Sequence, residues 1–450
     1  MDAATLYQRF VDKAPAAVLV HGLIRSCLAP EFLDAVAAPH LPRSPNPRQL
    51  DFSHLVEVLL PVVFESAKSV RHSYRQAAHL HAVATLKCVY ERLGATPPAA
   101  AAALVRAVAQ RVAPLFDPPA GTARLLTLDG NHLAATQSRL AGLAGLPAAL
   151  PGQAAVLRDQ ATGVFLRALL HEDAHANERP LHPQLLDWFG PGDVVIADSS
   201  FCTEDFLAGL RRRGAWSVVR RHGGVGLAPL GERLDCGRVA AGRLYETAVR
   251  YAGTPLELRL VEVELDKPTR DGHPVVGVLT DVPAEAMPAA AVAATYLGRR
   301  TIEVAFQELA EGLRGEVETL AYPKAALLAF GLAAAVYNLL RVAKRAAERQ
   351  AAPAAGAAEE LSPVLLGQEV SAFGAGLAAA LEGNPLVPAA GWEDDRLRAW
   401  VDELARRLVG GRYAKSKRGH RKQKPAKGKS PKGSHTATAR VLEQRRISSQ

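Results

Sequence analysis

Two aspartates hold matching places in the 450-residue sequence. Arg124-Leu-Leu-Thr-Leu128 reads as a buried strand ending at Asp129. Asp193-Val-Val-Ile-Ala197 reads as a second strand ending at Asp198. In an open α/β sheet, ligand groups gather at strand ends. A carboxylate there is rigidly placed and open enough to bind a hard cation. Taken singly, each Asp also reads as a turn residue or helix cap. The matched contexts argue against an unpaired structural role.

A third carboxylate, Glu303, lies in Tyr296-Leu-Gly-Arg-Arg-Thr-Ile-Glu-Val-Ala-Phe-Gln-Glu-Leu309. On a helix at ~100° per residue, Tyr296, Arg299 and Glu303 fall within about 60° of one stripe. Ile302, Phe306 and Leu309 form an apolar stripe beside it. One helix can thus present an aromatic, a guanidinium and a carboxylate to one ligand. A plain surface Arg–Glu pair at i, i+4 satisfies the same spacing.

A rival motif is His171-Glu-Asp-Ala-His175, which fits the zinc-peptidase pattern H-E-x-x-H. That chemistry needs both His on one helix face and a third ligand downstream. Here a strand candidate precedes the motif and Pro180 and Pro183 follow it. His182 comes seven residues after His175, with no Gly between them.

These residues need elements to hold them. Residues 1–115 read as helical, with apolar helical spacing at 16–28, 55–64 and 78–93. Within them, Lys68-Ser-Val-Arg-His-Ser-Tyr-Arg75 gathers three cations and a Tyr, facing either phosphates or solvent. Strand candidates follow at 124–128, 153–157, 163–170, 193–197 and 216–220, with helices at 185–189 and 206–213. That mixture indicates an α/β core. Stretches 244–251, 256–265 and 274–279 alternate without helices between them and read as antiparallel strands. Helix returns at 289–309 and 322–350, an Ala/Pro/Gly linker covers 351–363, and two weaker helices follow.

Composition bounds the class. The chain is 48% hydrophobic and 22% charged, so wholesale disorder is excluded. Lys and Arg number 54 against 45 Asp and Glu, giving +9. Ten of those cations lie from Arg412 to Lys432; without them 44 basic residues face 45 acidic ones. A neutral body with a cationic tail suits a polyanionic partner, or simply a solvated terminus. Cys27, Cys88, Cys202 and Cys236 are far apart and suggest neither a zinc ribbon nor a disulfide framework. No basic n-region precedes an apolar run at the N-terminus, so a signal peptide is not expected. The apolar stretch 325–340 is short of the ~20 residues needed to span a bilayer and reads as a buried core helix. A soluble, cytoplasmic protein is expected.

Leu128-Asp-Gly-Asn-His132, Ile196-Ala-Asp-Ser-Ser-Phe-Cys-Thr203 and Tyr296-x-x-Arg299-x-x-x-Glu303 resemble the three signature blocks of bacterial insertion-sequence transposases of the IS-four type. These belong to the DDE class with a ribonuclease-H-like core. Block order, spacing, the β-rich stretch before the third block and the basic C-terminal end all match, clearly over 120–345. The resemblance implies an α/β fold: a ribonuclease-H-like core at 116–221 and 287–350, split by a β-rich insertion at 222–286. A helical DNA-binding region at 1–115, a helical C-terminal part at 351–411 and a basic disordered tail at 412–450 complete the expected plan.

The resemblance implies that Asp129, Asp198 and Glu303 are catalytic and ligate two Mg²⁺ ions, with Mn²⁺ as a substitute. Asp129 would bridge both ions; Asp198 and Glu303 would each complete one. Two such ions activate an attacking oxygen and stabilise a leaving one on a phosphodiester. Tyr296 and Arg299 would contact the DNA strand being cut. Two positions depart from the pattern: Ser199 replaces an Arg, and Ala310 replaces a Lys seven residues after the Glu. Arg314 is the candidate substitute, with Gly312 a candidate helix end before it. Lys415, Lys417, Arg418, Arg421 and Lys422 of the tail are candidate DNA contacts. His175, Glu178 and Arg179 resemble a polar His-x-x-Glu-Arg stretch of the family. The implied partners are duplex DNA at terminal inverted repeats and at the target, and a second copy of the chain. Cleavage and strand transfer at element ends, at the nucleoid, is the implied activity. The alternatives are a decayed, non-catalytic DNA binder and a zinc metallopeptidase using His171, Glu172 and His175.

Overall fold

The computed structural model describes residues 2–42, 50–117, 123–133, 149–176, 179–269, 272–317, 319–350, 360–408, 411–415 and 436–448. Seven helices open the chain: α1 Ala3–Lys13, α2 Pro15–Cys27, α3 Pro30–Ala37, α4 Phe52–Val63, α5 Val70–Gln76, α6 Leu86–Ala95 and α7 Pro98–Val112. Prolines at the starts of α2, α3 and α7 suit a first helical turn, where no backbone N–H is needed. The expected helix over 78–93 is shorter. A 3₁₀ turn takes Ala78–Ala82, and α6 begins only after Thr85, whose hydroxyl accepts from Cys88 N.

The sheet starts with β1 Arg124–His132, followed by β2 Ala149–Leu150, β3 Gln153–Asp159 and β4 Phe165–His171. α8 His182–Leu186, β5 Asp193–Ala197, α9 Glu204–Arg212 and β6 Trp216–Arg220 follow. Five of these strands lie in the order β4-β3-β1-β5-β6. β1 pairs antiparallel with β3 on one side and parallel with β5 on the other. This is the α/β core that the alternation of strands and helices predicts. Helices cover both faces. Phe206, Leu207 and Leu210 of α9 pack on Leu126, Leu128 and Val195. Val194 and Ile196 face the opposite side.

The β-rich stretch holds β7 Leu227–Pro229, β8 Leu234–Val239, β9 Gly242–Tyr251, β10 Glu257–Leu265 and β11 Val275–Thr280. It is antiparallel, as the alternation predicts, and it extends the core sheet. β11 pairs with the edge of β6 through Val278↔Arg220 to Thr280↔Val218, giving a 10-stranded sheet. Edge pairing leaves no unpaired strand at that side of the core.

The remaining elements are α10 Ala289–Leu297, α11 Arg300–Gly312, α12 Pro323–Gln350, α13 Pro363–Ala380, α14 Asp394–Ala405, β12 Thr436–Ala437 and α15 Thr438–Ser448. α12 is long and apolar enough to cross a membrane, but it is buried inside the protein, which makes it a core helix. Asn338 fastens it to the sheet: its amide donates to Phe165 O at 2.9 Å and accepts from Phe165 N at 2.8 Å. A buried amide needs both bonds, since an unmet buried group costs about 1–3 kcal/mol. The N-terminal helices share one apolar core with α11 to α14. Gly331 lets α12 meet α7 closely: a Cβ there would stand 2.8 Å from the Ala101 Cβ.

The C-terminal end differs from a wholly disordered tail. Arg412 and Tyr413 both bind Glu369, and Lys415 Nζ meets Glu308 at 3.3 Å and Glu360 at 3.0 Å. β12 pairs with β2, and Arg440 of α15 bonds Asp173 Oδ2 at 2.8 Å. Carboxylates of the body hold these segments. Lys417, Arg418, Arg421 and Lys422 lie outside the described residues.

Candidate active site

The pairing of β1 with β5 explains the first two carboxylates. The parallel register runs through Thr127↔Ile196 to Leu128↔Ala197 and stops there. Asp129 and Asp198 are the next residues on each strand. Neighbouring strands lie ~4.8 Å apart, and alternation sends both side chains to the face shared by Thr127 and Ile196. Contrary to the sequence expectation, β1 does not end at Asp129. It continues to His132 because β3 stays paired through Asp129↔Val156 to His132↔Gln153. Asp129 sits where β1 loses β5 but keeps β3, which holds its backbone firmly.

The third block is not one helix. α10 ends at Leu297, Gly298 and Arg299 form the junction, and α11 begins at Arg300. Tyr296 therefore lies on α10 and Glu303 in the first turn of α11. The break still brings the three together: Arg299 N–H donates to Tyr296 O at 2.9 Å. The apolar stripe behaves as read, with Ile302 and Leu309 buried and Phe306 packed against the core. Arg158, buried beneath, donates to Thr301 Oγ1 at 2.8 Å and ties α11 to β3.

Arg299 joins two carboxylates. Its Nη1 donates to Asp129 Oδ2 at 2.7 Å and its Nη2 to Glu303 Oε1 at 2.6 Å. Asp129 is 15% exposed and Glu303 55%, so Glu303 has the freedom to move and Asp129 does not. Burial pushes the Asp129 carboxyl up to about 6. Arg299 and the Gly130 N–H pull it down, while Asp198 and Glu303 push it further up. Burial likewise raises the Tyr296 phenol, with Arg299 opposing and Asp198 adding. Burial alone would lower the Arg299 guanidinium, but Asp129, Tyr296, Asp198 and Glu303 outweigh it and raise it. Asp198 Oδ1 is buried with no hydrogen-bond partner.

This donor set suits a hard cation. An orphaned carboxylate oxygen beside a carboxyl whose charge is penalised by burial is a place where positive charge stabilises. Asp198 fits such an ion directly. Asp129 and Glu303 fit when Arg299 releases them, and no cluster of three His, Cys, Asp or Glu among the described residues forms a ready metal cage.

The other candidates separate. Arg314 lies beyond the end of α11 at Gly312, and its Nη1 donates to Lys68 O at 3.2 Å. Lys415 is engaged in the ion pairs described above. The metallopeptidase reading fails. His171 ends β4, its Nδ1 accepts from Asp173 N at 3.2 Å, and the motif runs into a turn, so its two His share no helix face. Glu178 and the Arg179 side chain lie outside the described residues. Sequence reading missed a cavity of about 690 Å³ beside Asp198, lined by His132, Ser199, Ser200, His222 and Tyr251 among others. Its lining includes His132 of the first block and Ser199, Ser200, Cys202 and Thr203 of the second, whereas His222 and Tyr251 come from distant strand ends that leave no local mark.

A protein-family model described as "Transposase DDE domain" matches residues 152–339. No curated protein matches the chain. Among solved structures, a piggyBac transposase synaptic complex with hairpin DNA, solved by cryo-EM, aligns at a TM-score of 0.42 with 11% identity, over 90% of this chain and 85% of that one. Over residues 152–339, the chain is similar to the transposase DDE domain.

Proposed function

We propose that Asp129, Asp198 and Glu303 are the catalytic carboxylates, and that the chain cuts DNA at the ends of an insertion sequence and joins those ends to new DNA. The observation that carries this reading is the register of β1 and β5. It sets Asp129 and Asp198 side by side just past the last residues that pair β1 with β5, and Arg299 links Asp129 to Glu303.

Asp129, Asp198 and Glu303 would hold two Mg²⁺ ions, the set being complete once Arg299 lets go of Asp129 and Glu303. When bound, such ions make an attacking oxygen nucleophilic and stabilise the leaving oxygen. The chain's residues do the rest. Arg299, freed from the carboxylates, is the right length and charge to hold a phosphate of the cut strand. Tyr296, in the wall of the same face, orients the terminal nucleotides. The helices of 1–115 and the basic segment 417–422 add contacts to duplex DNA. Two copies bridging two element ends, acting on nucleoid DNA in the cytoplasm, complete the proposal.

The test is strand cleavage of a plasmid carrying the sequences that flank the coding region, with Mg²⁺ or Mn²⁺. Asp129→Asn, Asp198→Asn and Glu303→Gln should each lower cleavage by at least ~10³-fold while keeping DNA binding. Cleavage at the normal rate by any of the three would remove that residue from the proposed site.

A further inference from the structure

The segment after α4 has a charge pattern that the carboxylate site does not use. From Ser66 to Tyr90 there is no Asp or Glu, and the run carries Lys68, Arg71, Arg75 and Lys87. α5 orders its first part. Ser69 caps the helix by accepting from His72 N at 3.2 Å. Val70, Ser73 and Tyr74 form the buried face, and the Tyr74 hydroxyl donates to Ala84 O at 2.7 Å. Arg71, His72 and Arg75 are left on the outer, exposed face, with Lys68 just before them. Lys68, Arg71 and Arg75 form no ion pair among the described residues.

This strip is joined to the carboxylate site. Arg314, just past α11, donates from its backbone to Val63 O at 2.7 Å and from Nη1 to Lys68 O at 3.2 Å. Glu65, Lys68, Ala310, Arg314 and Glu316 line a cavity of about 420 Å³. Glu316 accepts from Asn131 Nδ2 at 3.1 Å, and Asn131 stands two residues beyond Asp129 on the same strand face. Ala310 lies seven residues after Glu303 on α11. Two helical turns put it ~10 Å further along the same helix face. Glu65 turns the chain into this cavity with a left-handed φ of 59°, a conformation that costs a non-glycine residue about 1 kcal/mol. Carboxylates, cavity and α5 thus form one continuous path.

Charge decides what the path suits. Inside the cavity, Glu65 and Glu316 offset Lys68 and Arg314. The excess lies on the outer face of α5. That face has no exposed apolar residue, since Val70 and Tyr74 point inward. A protein partner would find nothing there to desolvate, whereas a phosphate backbone needs only cations.

We propose that Lys68, Arg71 and Arg75, together with Arg314, hold the phosphodiester backbone of duplex DNA next to the strand engaged at Asp129 and Glu303. This rests on the reading of the carboxylate site given above. The full chain is titrated with a labelled DNA duplex in EDTA, so that binding is read without cutting. Removing all three α5-region cations (Lys68→Ala, Arg71→Ala, Arg75→Ala) should weaken binding at least tenfold at low salt. It should also flatten the dependence of log affinity on log salt by about 2–3, at ~0.9 per lost phosphate contact. Arg212→Ala, on α9 at the opposite sheet face, should leave the slope unchanged. Unaltered thermal melting would show that the variant is folded, as expected when only outward residues change.

An unchanged slope in the triple variant overturns the proposal. So does equal competition by an acidic peptide of matching charge, which would point to a protein partner. The two readings fail separately. If Asp129→Asn still cuts DNA, the carboxylate assignment falls while the slope result stands. If Asp129→Asn is inactive and the triple variant binds normally, only the α5 path falls.

Discussion

Arg299 is bonded to Asp129 by a 2.7 Å contact from Nη1 to Oδ2, and the same guanidinium reaches Glu303 at 2.6 Å. One cation therefore offsets two carboxylates at the place where divalent ions are proposed to bind. Charge-assisted bonds of this length are about twice as strong as neutral ones. Any ion entering the site competes with them. Arg299→Ala should therefore tighten Mn²⁺ binding to the DNA-free protein by about tenfold, equal to ~1.4 kcal/mol, while lowering strand cleavage because the phosphate contact is lost. Calorimetric titration with Mn²⁺ measures the first effect. An unchanged or weaker Mn²⁺ affinity would sink the idea that Arg299 competes with metal.

A second prediction concerns Glu369, a buried carboxylate on α13. Its Oε1 accepts from Ala16 N at 3.0 Å and Ala17 N at 3.2 Å, at the start of α2. Its Oε2 accepts from the Tyr413 hydroxyl at 2.7 Å and pairs with Arg412. A negative charge at a helix N-terminus meets the unpaired N–H groups there. Here it also anchors the root of the C-terminal segment. Glu369→Ala strands two buried N–H groups and a phenol, so a loss of about 3 kcal/mol is expected. Chemical denaturation reads the loss, and faster proteolysis near residue 413 should accompany it. Stability within ~0.5 kcal/mol of the unchanged chain would refute the anchoring role.

The two strands bearing Asp129 and Asp198 were legible because each is a short apolar run buried on both faces, which parallel pairing requires. Asp198 was legible as a strand end because β5 stops at Ala197. The end of β1 was not, since β3 pairing carries it past Asp129, and pairing with a distant segment leaves no local mark. The spacing of Tyr296, Arg299 and Glu303 placed them together for a partly wrong reason. A continuous helix was read where the chain breaks at Gly298 and Arg299, and Gly298 was the only local sign of a break. β7 and β8 went unread because they are short, and β8 is almost wholly exposed, so neither shows apolar alternation. The zinc-peptidase pattern at His171 misled by spacing alone. Only the pairing of β4 with β3 shows that His171 belongs to a strand.

The last prediction is a pH dependence set by His21. It lies on α2 among buried residues, with Nε2 enclosed and without a hydrogen-bond partner. Burial, reinforced by the Arg25 charge one turn away, pushes its pKa down to about 4. In the unfolded chain the same imidazole titrates near ~6.5. Between those values the unfolded chain holds the proton and the native chain does not, so stability rises with pH across that window. The contribution is complete above ~6.5 and is lost as pH falls toward 4, with a ceiling of about 3 kcal/mol. Asp129 acts in the opposite sense. Its raised native pKa of about 6 makes stability fall as pH rises through roughly 4–6. The two partly cancel in the unchanged protein, so the informative quantity is a difference. His21→Gln removes one titration and leaves the other. The stability of the unchanged chain minus that of the variant should therefore rise with pH between 4 and 6.5, read from denaturation midpoints at closely spaced pH values. Parallel curves for the two proteins would show that His21 does not hold its proton-free state at a cost to acid stability.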